Sequence, residues 1–173
     1  LEVAVQGDVR RICTGESSHY FLREDGVYIS NFGGRKQERL YAAKNIDEIR
    51  YAGGILYVLS KRKGRKDLIR SIEPSTGAIR TLVSGSLKDF TIAEGFLYFV
   101  SGKRGNLERV RLGDGDRELV FTGGISSAPR IGPRGRLYVK MRDGGLWKMD
   151  RTGAMRTRVV EPPIKDWNII GKF

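Results

Sequence analysis

The sequence is poor in the residues that most often carry chemistry. Its 173 residues include one cysteine, Cys13, and one histidine, His19. A lone cysteine excludes an intrachain disulfide, and with no second His or Cys beside it a nucleophile pair or a His/Cys metal site is not expected. Amides are scarce, confined to Gln6, Gln37, Asn31, Asn45, Asn106 and Asn168, while arginine is plentiful; that balance leans towards a heat-adapted source. No apolar run approaches the roughly 20 residues that cross a bilayer, and the longest, Ile55–Leu59, is strand-sized. The opening, LEVAVQGDVRR, has no basic segment ahead of an apolar core, so no signal peptide is expected. It also lacks an initiator Met, which reads as a processed chain or one cut from something longer.

What is present is glycine and positive charge. Glycine contributes 23 residues against 5 prolines, which points to many tight turns. With 39% hydrophobic and 30% charged residues the composition is that of a soluble globular domain. Lysine and arginine (32) outnumber aspartate and glutamate (20), giving a net charge of +12 and a pI near 10.1. Such a charge favours polyanionic partners: nucleic acid, anionic lipid, acidic glycans or an acidic protein face.

Internal repeats dominate the pattern. DGVYISN (25–31), GGILYVLS (53–60), EGFLYFVS (94–101) and RGRLYVKM (134–141) are short β-branched and aromatic runs, each after a glycine turn. Their tyrosines, Tyr28, Tyr57, Tyr98 and Tyr138, are expected at equivalent places. Each run is preceded by another strand and followed by a hairpin, as in KDLIRSIEPSTGAIRTLVSG (66–85) and GNLERVRLGDGDRELVFTG (105–123). The unit is four antiparallel strands, a to d, in roughly 40 residues. Strand b is apolar nearly throughout, as a strand covered on both faces should be, whereas c and d set charged positions such as Arg109 and Arg111 against Val110 and Leu112. No stretch sustains a 3.6-residue period; the best helical candidate, 39–49, is discounted because Leu40 aligns with strand c of other repeats.

These repeats resemble β-propeller repeats of the YWTD, TolB-like and related bacterial and archaeal types, whose Gly-x-aliphatic-Tyr-aliphatic strand leads into a hairpin ending DxxGxxxxxL. Val58-Leu59, Phe99-Val100 and Val139-Lys140 stand where the Trp-Thr-Asp signature would follow the tyrosine. The resemblance implies an all-β propeller of about four antiparallel blades, either a closed ring or an arc of a larger one. The expected organisation is one domain over 1–173, with repeats near 17–45, 46–86, 87–125 and 126–163. Residues 1–16 and 164–173 would form a split blade from the two termini, since IKDWNIIGKF resembles LKDFTIAEGF. The first repeat is about eleven residues short and reads as lacking strand d.

In this frame the basic run SKRKGRKD (60–67) is a b–c turn. The equivalent turns place Arg35, Lys36, Arg39, Lys61, Arg62, Lys63, Arg65, Lys66, Lys103, Arg104 and Arg142 together. The c–d turns EPSTG, GDGD and DRTG are neutral or acidic, so a two-faced molecule with a basic b–c rim is expected. The leading functional expectation is a non-enzymatic binding module docking an acidic protein or another polyanion, including nucleic acid without base readout. Charge runs in hairpins also serve simply as solvated turns. Two other classes stand beside it. One is an enzyme acting on carbohydrate or polyanion through carboxylates at the channel, such as Asp47, Asp89 and Asp166. The other is a structural blade domain of a larger surface or viral protein. The recurring aspartates also suit backbone bonding where each blade begins. Cys13 and His19 read as structural, GDGD as a hairpin turn, and Trp147 and Trp167 as core. No cofactor or metal is expected.

Overall fold

The computed structural model describes residues 8–33, 36–154 and 156–160, which fall in two compact units, Leu1–Ser84 and Gly85–Phe173. Each unit holds two four-stranded antiparallel sheets of consecutive strands. Unit 1 contains β1 (Arg11–Thr14), β2 (Ser18–Arg23), β3 (Gly26–Asn31) and β4 (Gln37–Ala42) in one sheet. Its second sheet is β5 (Ile46–Ala52), β6 (Ile55–Ser60), β7 (Asp67–Ile72) and β8 (Ile79–Gly85). Unit 2 contains β9 (Leu87–Ala93), β10 (Phe96–Ser101), β11 (Asn106–Arg111) and β12 (Arg117–Phe121). Then come β13 (Arg130–Ile131), β14 (Leu137–Lys140), β15 (Leu146–Met149) and β16 (Thr157–Val160). Among the described residues the one helical segment is the 3-10 turn Pro133–Gly135. Residues 39–49 are strand, connection and strand, as the repeat alignment required.

The first repeat is corrected by one strand. β1 pairs with β2, so residues 11–14 open the first sheet and do not belong to a separate blade. The first blade therefore has all four strands, with β2 as strand b. Tyr20 of β2 faces Cys13 across the a–b pair, as Tyr57 faces Arg50, Tyr98 faces Thr91 and Tyr138 faces Arg130. Tyr28 lies in strand c. A second register mark agrees: the c–d ladder slips at Val27/Tyr28, at Leu107/Glu108 and at Leu146/Trp147. The equivalent tyrosines are 20, 57, 98 and 138, so the steps are 37, 41 and 40 residues. The proposed pairing of LEVAV with IKDWNII lies outside the described residues.

Packing repeats the same logic in each unit. In unit 1, Tyr20 and Leu22 of β2 meet Leu56 and Val58 of β6 in one core, with Val27, Ile46, Ile49 and Ile72. In unit 2, Tyr98 and Val100 of β10 meet Leu137 and Val139 of β14, with Leu107, Ile125 and Met149. The central strands β6 and β10 are buried from their second residue to their last, which is why their sequences do not alternate. Burying one Leu or Phe of this kind contributes about 1.5–3 kcal/mol.

Candidate binding surface

The basic turn of the second blade joins β6 to β7. Lys61, Arg62, Lys63, Arg65 and Lys66 supply five positive charges, and Asp67, which opens β7, supplies one negative, leaving a net +4. Asp67 Oδ1 accepts the Arg62 backbone N–H at 3.1 Å, and its Oδ2 lies 3.6 Å from Lys61 Nζ. The Arg65 N–H donates to the Arg62 carbonyl at 3.1 Å, closing a tight turn over Gly64. The acid is thus engaged with the turn's own framework. Among the described residues Arg62, Lys63, Arg65 and Lys66 have no acidic partner, and the last three are exposed. The Lys61 N–H bonds the Asn45 carbonyl at 2.8 Å, which brings exposed Lys44 to the same end of the unit. Sequence reasoning passed over Lys44 because it sits in a connection outside the repeated turns.

The first blade does not contribute the turn expected of it. Its b–c turn is Glu24–Asp25, at the same end as the basic turn, since the Ala43 N–H reaches the Asp25 carbonyl at 3.2 Å just before Asn45. β3 ends and β4 begins at the opposite end of the sheet, which places Lys36, just ahead of β4, away from Lys61–Lys66. Arg35 lies outside the described residues. Arg39 is inside β4, and its Nη1 is 3.1 Å from Asp25 Oδ2. The Asp25 carboxylate also accepts the Tyr28 hydroxyl at 2.9 Å, and these two donors, the hydroxyl foremost, hold its pKa below the usual value. The signal that would have fixed the phase is HYFL at 19–22, which matches LYVL and LYFV better than VYIS does.

In unit 2 the structure does gather the named residues. The turn after β10 carries Lys103 and Arg104, and the turn after β14 carries Arg142. Between them the strand-to-strand connection is stitched to both: the Gly124 N–H donates to the Arg104 carbonyl at 2.8 Å, and the Arg142 N–H to the Gly124 carbonyl at 2.7 Å. The Arg142 guanidinium donates to the Lys103 carbonyl. All three are exposed cations. Asp143 beside them is 3.5 Å from Arg158.

The remaining candidates take structural positions. Asp89 uses both oxygens on backbone, accepting the Phe90 N–H at 2.8 Å and, across to the next sheet, the Ala128 N–H at 2.9 Å. That is the blade-opening role expected of it. Asp47 is exposed, and Asp166 and Trp167 lie outside the described residues. In the GDGD turn, Asp114 accepts the Asp116 N–H at 3.1 Å and lies 3.4 Å from Arg111. His19 stands in β2, edge-on to Phe32 with ring centres 4.9 Å apart, and its Nδ1 is 3.3 Å from Thr14 Oγ1. Burial, aided by the Glu48 carboxylate, pushes the Cys13 thiol up to about 12. Trp147 packs against the unit 2 core. Among the described residues no three His, Cys, Asp or Glu side chains gather as metal ligands, and no helix is long and apolar enough to cross a membrane.

No family model and no curated protein matches this chain. Solved structures do. The tricorn protease aligns with a TM-score of 0.67 at 12% identity over 87% of this chain and 16% of its own. A chain of the nidogen/laminin complex aligns at 0.63 and 15% identity, over 84% of this chain and 60% of its own. TolB from Acinetobacter baumannii gives 0.60 and 16%, over 81% and 37%. This chain therefore spans 60% or less of the length of each of these structures. The set holds a protease beside a protein–protein complex, so it speaks to architecture and leaves activity open. Four antiparallel four-stranded sheets with these likenesses establish an all-β fold of the β-propeller type.

Proposed function

We propose that this protein is a non-enzymatic propeller module that docks an acidic macromolecule on the β6–β7 turn. The observation that carries the reading is the set of four cations, Arg62, Lys63, Arg65 and Lys66, left without acidic partners while Asp67 is spent on the turn itself. Fold stability does not require them there, because the equivalent turn of the first blade is acidic. Unneutralised cations on a hairpin anchored by its own carboxylate are preorganised for phosphate, sulfate or carboxylate groups. Lys103, Arg104 and Arg142 form a second, smaller basic patch in unit 2 suited to the same chemistry. The engaged state of Asp89 weighs against the alternative of a hydrolase built on the recurring aspartates.

The test is binding of a heparin fragment and of single-stranded and duplex DNA as a function of salt. Engagement of the four cations gives a log–log salt slope of about −2.8 to −3.6, at roughly 0.7–0.9 per anion neutralised. Changing Arg62, Lys63, Arg65 and Lys66 to Glu abolishes that slope for all probes alike, since such contacts position without reading sequence. The matched control changes four exposed cations elsewhere, Arg10, Lys36, Arg80 and Arg156. Equal losses in both variants would reduce the effect to net charge and sink the docking turn.

A further inference from the structure

At the end of unit 2 opposite Lys103 and Arg142, two hairpin turns of neighbouring sheets border a cleft of about 690 Å³. The β9–β10 turn supplies Glu94; the β13–β14 turn supplies Pro133, Arg134 and Gly135; Ile131 and Arg151 complete the part that matters. Its volume lies in the range of small-molecule sites. Arg151, from the β15–β16 turn, ion-pairs with Glu94 of the neighbouring sheet. Its backbone is held as well, because Arg109 Nη1 donates to the Arg151 carbonyl at 3.1 Å while Glu118 grips the same guanidinium at 2.6 Å. Gly135, at φ +66°, leaves the room this requires: a Cβ there would strike the Arg151 guanidinium and lie 2.8 Å from Glu94 Oε1.

Arg134 is different. It adopts φ 58° and ψ 29°, a left-handed conformation that an arginine enters only at a conformational cost. The corresponding residue of the β5–β6 turn is Gly53 at φ 55°, which fits this geometry without strain, and that of the β9–β10 turn is Glu94 at φ 49°. Arg134 is exposed at the cleft and, among the described residues, has no acidic partner. With Glu94 answered by Arg151, the cleft keeps one uncompensated cation beside the apolar side chains of Ile131 and Pro133.

We propose that this cleft binds a small organic monoanion, its carboxylate taken by the Arg134 guanidinium and its apolar body laid on Ile131 and Pro133. The planar guanidinium matches a carboxylate through two parallel N–H···O bonds. With the Glu94–Arg151 pair neutral, the cleft offers one net positive charge, which matches a monoanion better than a polyanion. The site is separate from the β6–β7 turn and takes a different ligand class.

Titration of the full chain with hexanoate, acetate, hexylamine and inorganic phosphate, followed through the amide signals of Gly132 and Gly135 and the Arg134 side-chain N–H, tests it. Hexanoate is expected to saturate these shifts at lower concentration than acetate or phosphate, and hexylamine to leave them unmoved. Arg134→Gly should weaken hexanoate by about tenfold or more, the loss of a charge-assisted hydrogen bond. It should also leave the melting temperature equal or higher, because glycine relieves the left-handed strain. The Glu substitutions at residues 62–66 should leave this titration unchanged. A lower melting temperature in Arg134→Gly would make Arg134 a structural residue, and unaltered hexanoate binding would remove it from the site. Phosphate matching hexanoate would exclude the apolar wall, and hexylamine matching it would exclude the charge; any of these overturns the proposal.

Discussion

Two turns at the same end of unit 1 do the same topological work with opposite charge. Between strands b and c the first blade uses Glu24–Asp25, two acidic residues, and ties Asp25 to Tyr28 and Arg39. The second blade uses six residues, five of them basic, and ties the turn to Asp67. In both, a single carboxylate braces the chain reversal. What lies beyond that brace is free to vary, so the sign of the outer charge is set by something other than folding. The basic rim expected over four turns narrows in unit 1 to one turn plus Lys44. An acidic neighbour at the same end lowers the local potential that a distant polyanion meets.

The comparison breaks most decisively in the core. If the first blade is phased on Tyr20, Phe21 is the counterpart of Val58 and Phe99, each fully buried. Phe21→Ala should then cost about 3–5 kcal/mol, and Leu56→Ala about 2–5 kcal/mol, in urea unfolding. Tyr28→Ala, at a half-buried position in strand c, should cost a small fraction of that. Equal losses at Phe21 and Tyr28 would return the blade to the phase that the sequence suggested.

A smaller effect distinguishes the two braces. Asp67→Ala removes the acceptor for the Arg62 N–H and should cost about 1 kcal/mol, the net worth of one such bond. Asp25→Asn removes a carboxylate on the open surface, and its signature is in the pH dependence. Because the folded pKa of Asp25 lies below its unfolded value of 3.8, its contribution is present above that pH and fades as pH falls through the folded value. The variant should therefore lose that contribution above pH 3.8, match the parent in strong acid, and show a flatter acid limb between the two. An unaltered acid limb would show that Tyr28 and Arg39 do not hold the carboxylate.

The smallest effect concerns strand a, where Cys13 faces Tyr20 as Arg50 faces Tyr57. With its pKa raised to about 12, the Cys13 thiol stays protonated below pH 9. Alkylation by iodoacetamide at pH 8 should be far slower in the folded chain than in urea. Stability should begin to fall only as pH rises past the unfolded value near 9, and Cys13→Ala should lessen that fall. Equal alkylation rates in the two states would place the thiol in water.

The architecture was legible where apolar residues run without interruption. ILYVLS and FLYFVS read as strands covered on both faces, and with LYVK at 137–140 they mark three of the four blades. The first blade was misphased because Gly26-Val27-Tyr28-Ile29 copies the local pattern of strand b. That glycine serves another purpose, lying so close to the Tyr41 carbonyl that a Cβ would collide with it. The backbone-bonding role of Asp89 was legible because Asp47, Asp89 and Asp166 recur near the start of strand a, where a carboxylate suits the amides of the blade entry. The charged b–c turn of the second blade was visible as composition. The Arg134 cleft was not, since it depends on Glu94, Arg134 and Arg151 converging from three turns far apart in the chain.

The slip in the c–d ladder has a consequence beyond register. By the pairings, Leu40, Val120 and Val159 are the extra residues, each inserted into the last strand of its sheet. Those strands end their sheets with a row of backbone groups facing outward, and β12 and β16 add apolar side chains there, Leu119 and Val159 being 59% and 47% exposed. A straight border of that kind would recruit strands from other molecules and grow into fibrils. The inserted residue bends it and throws its hydrogen-bonding groups out of step, so an incoming strand finds no continuous row to copy. One added residue in the last strand of three of the four described sheets thus works against these β-sheets templating their own polymerisation.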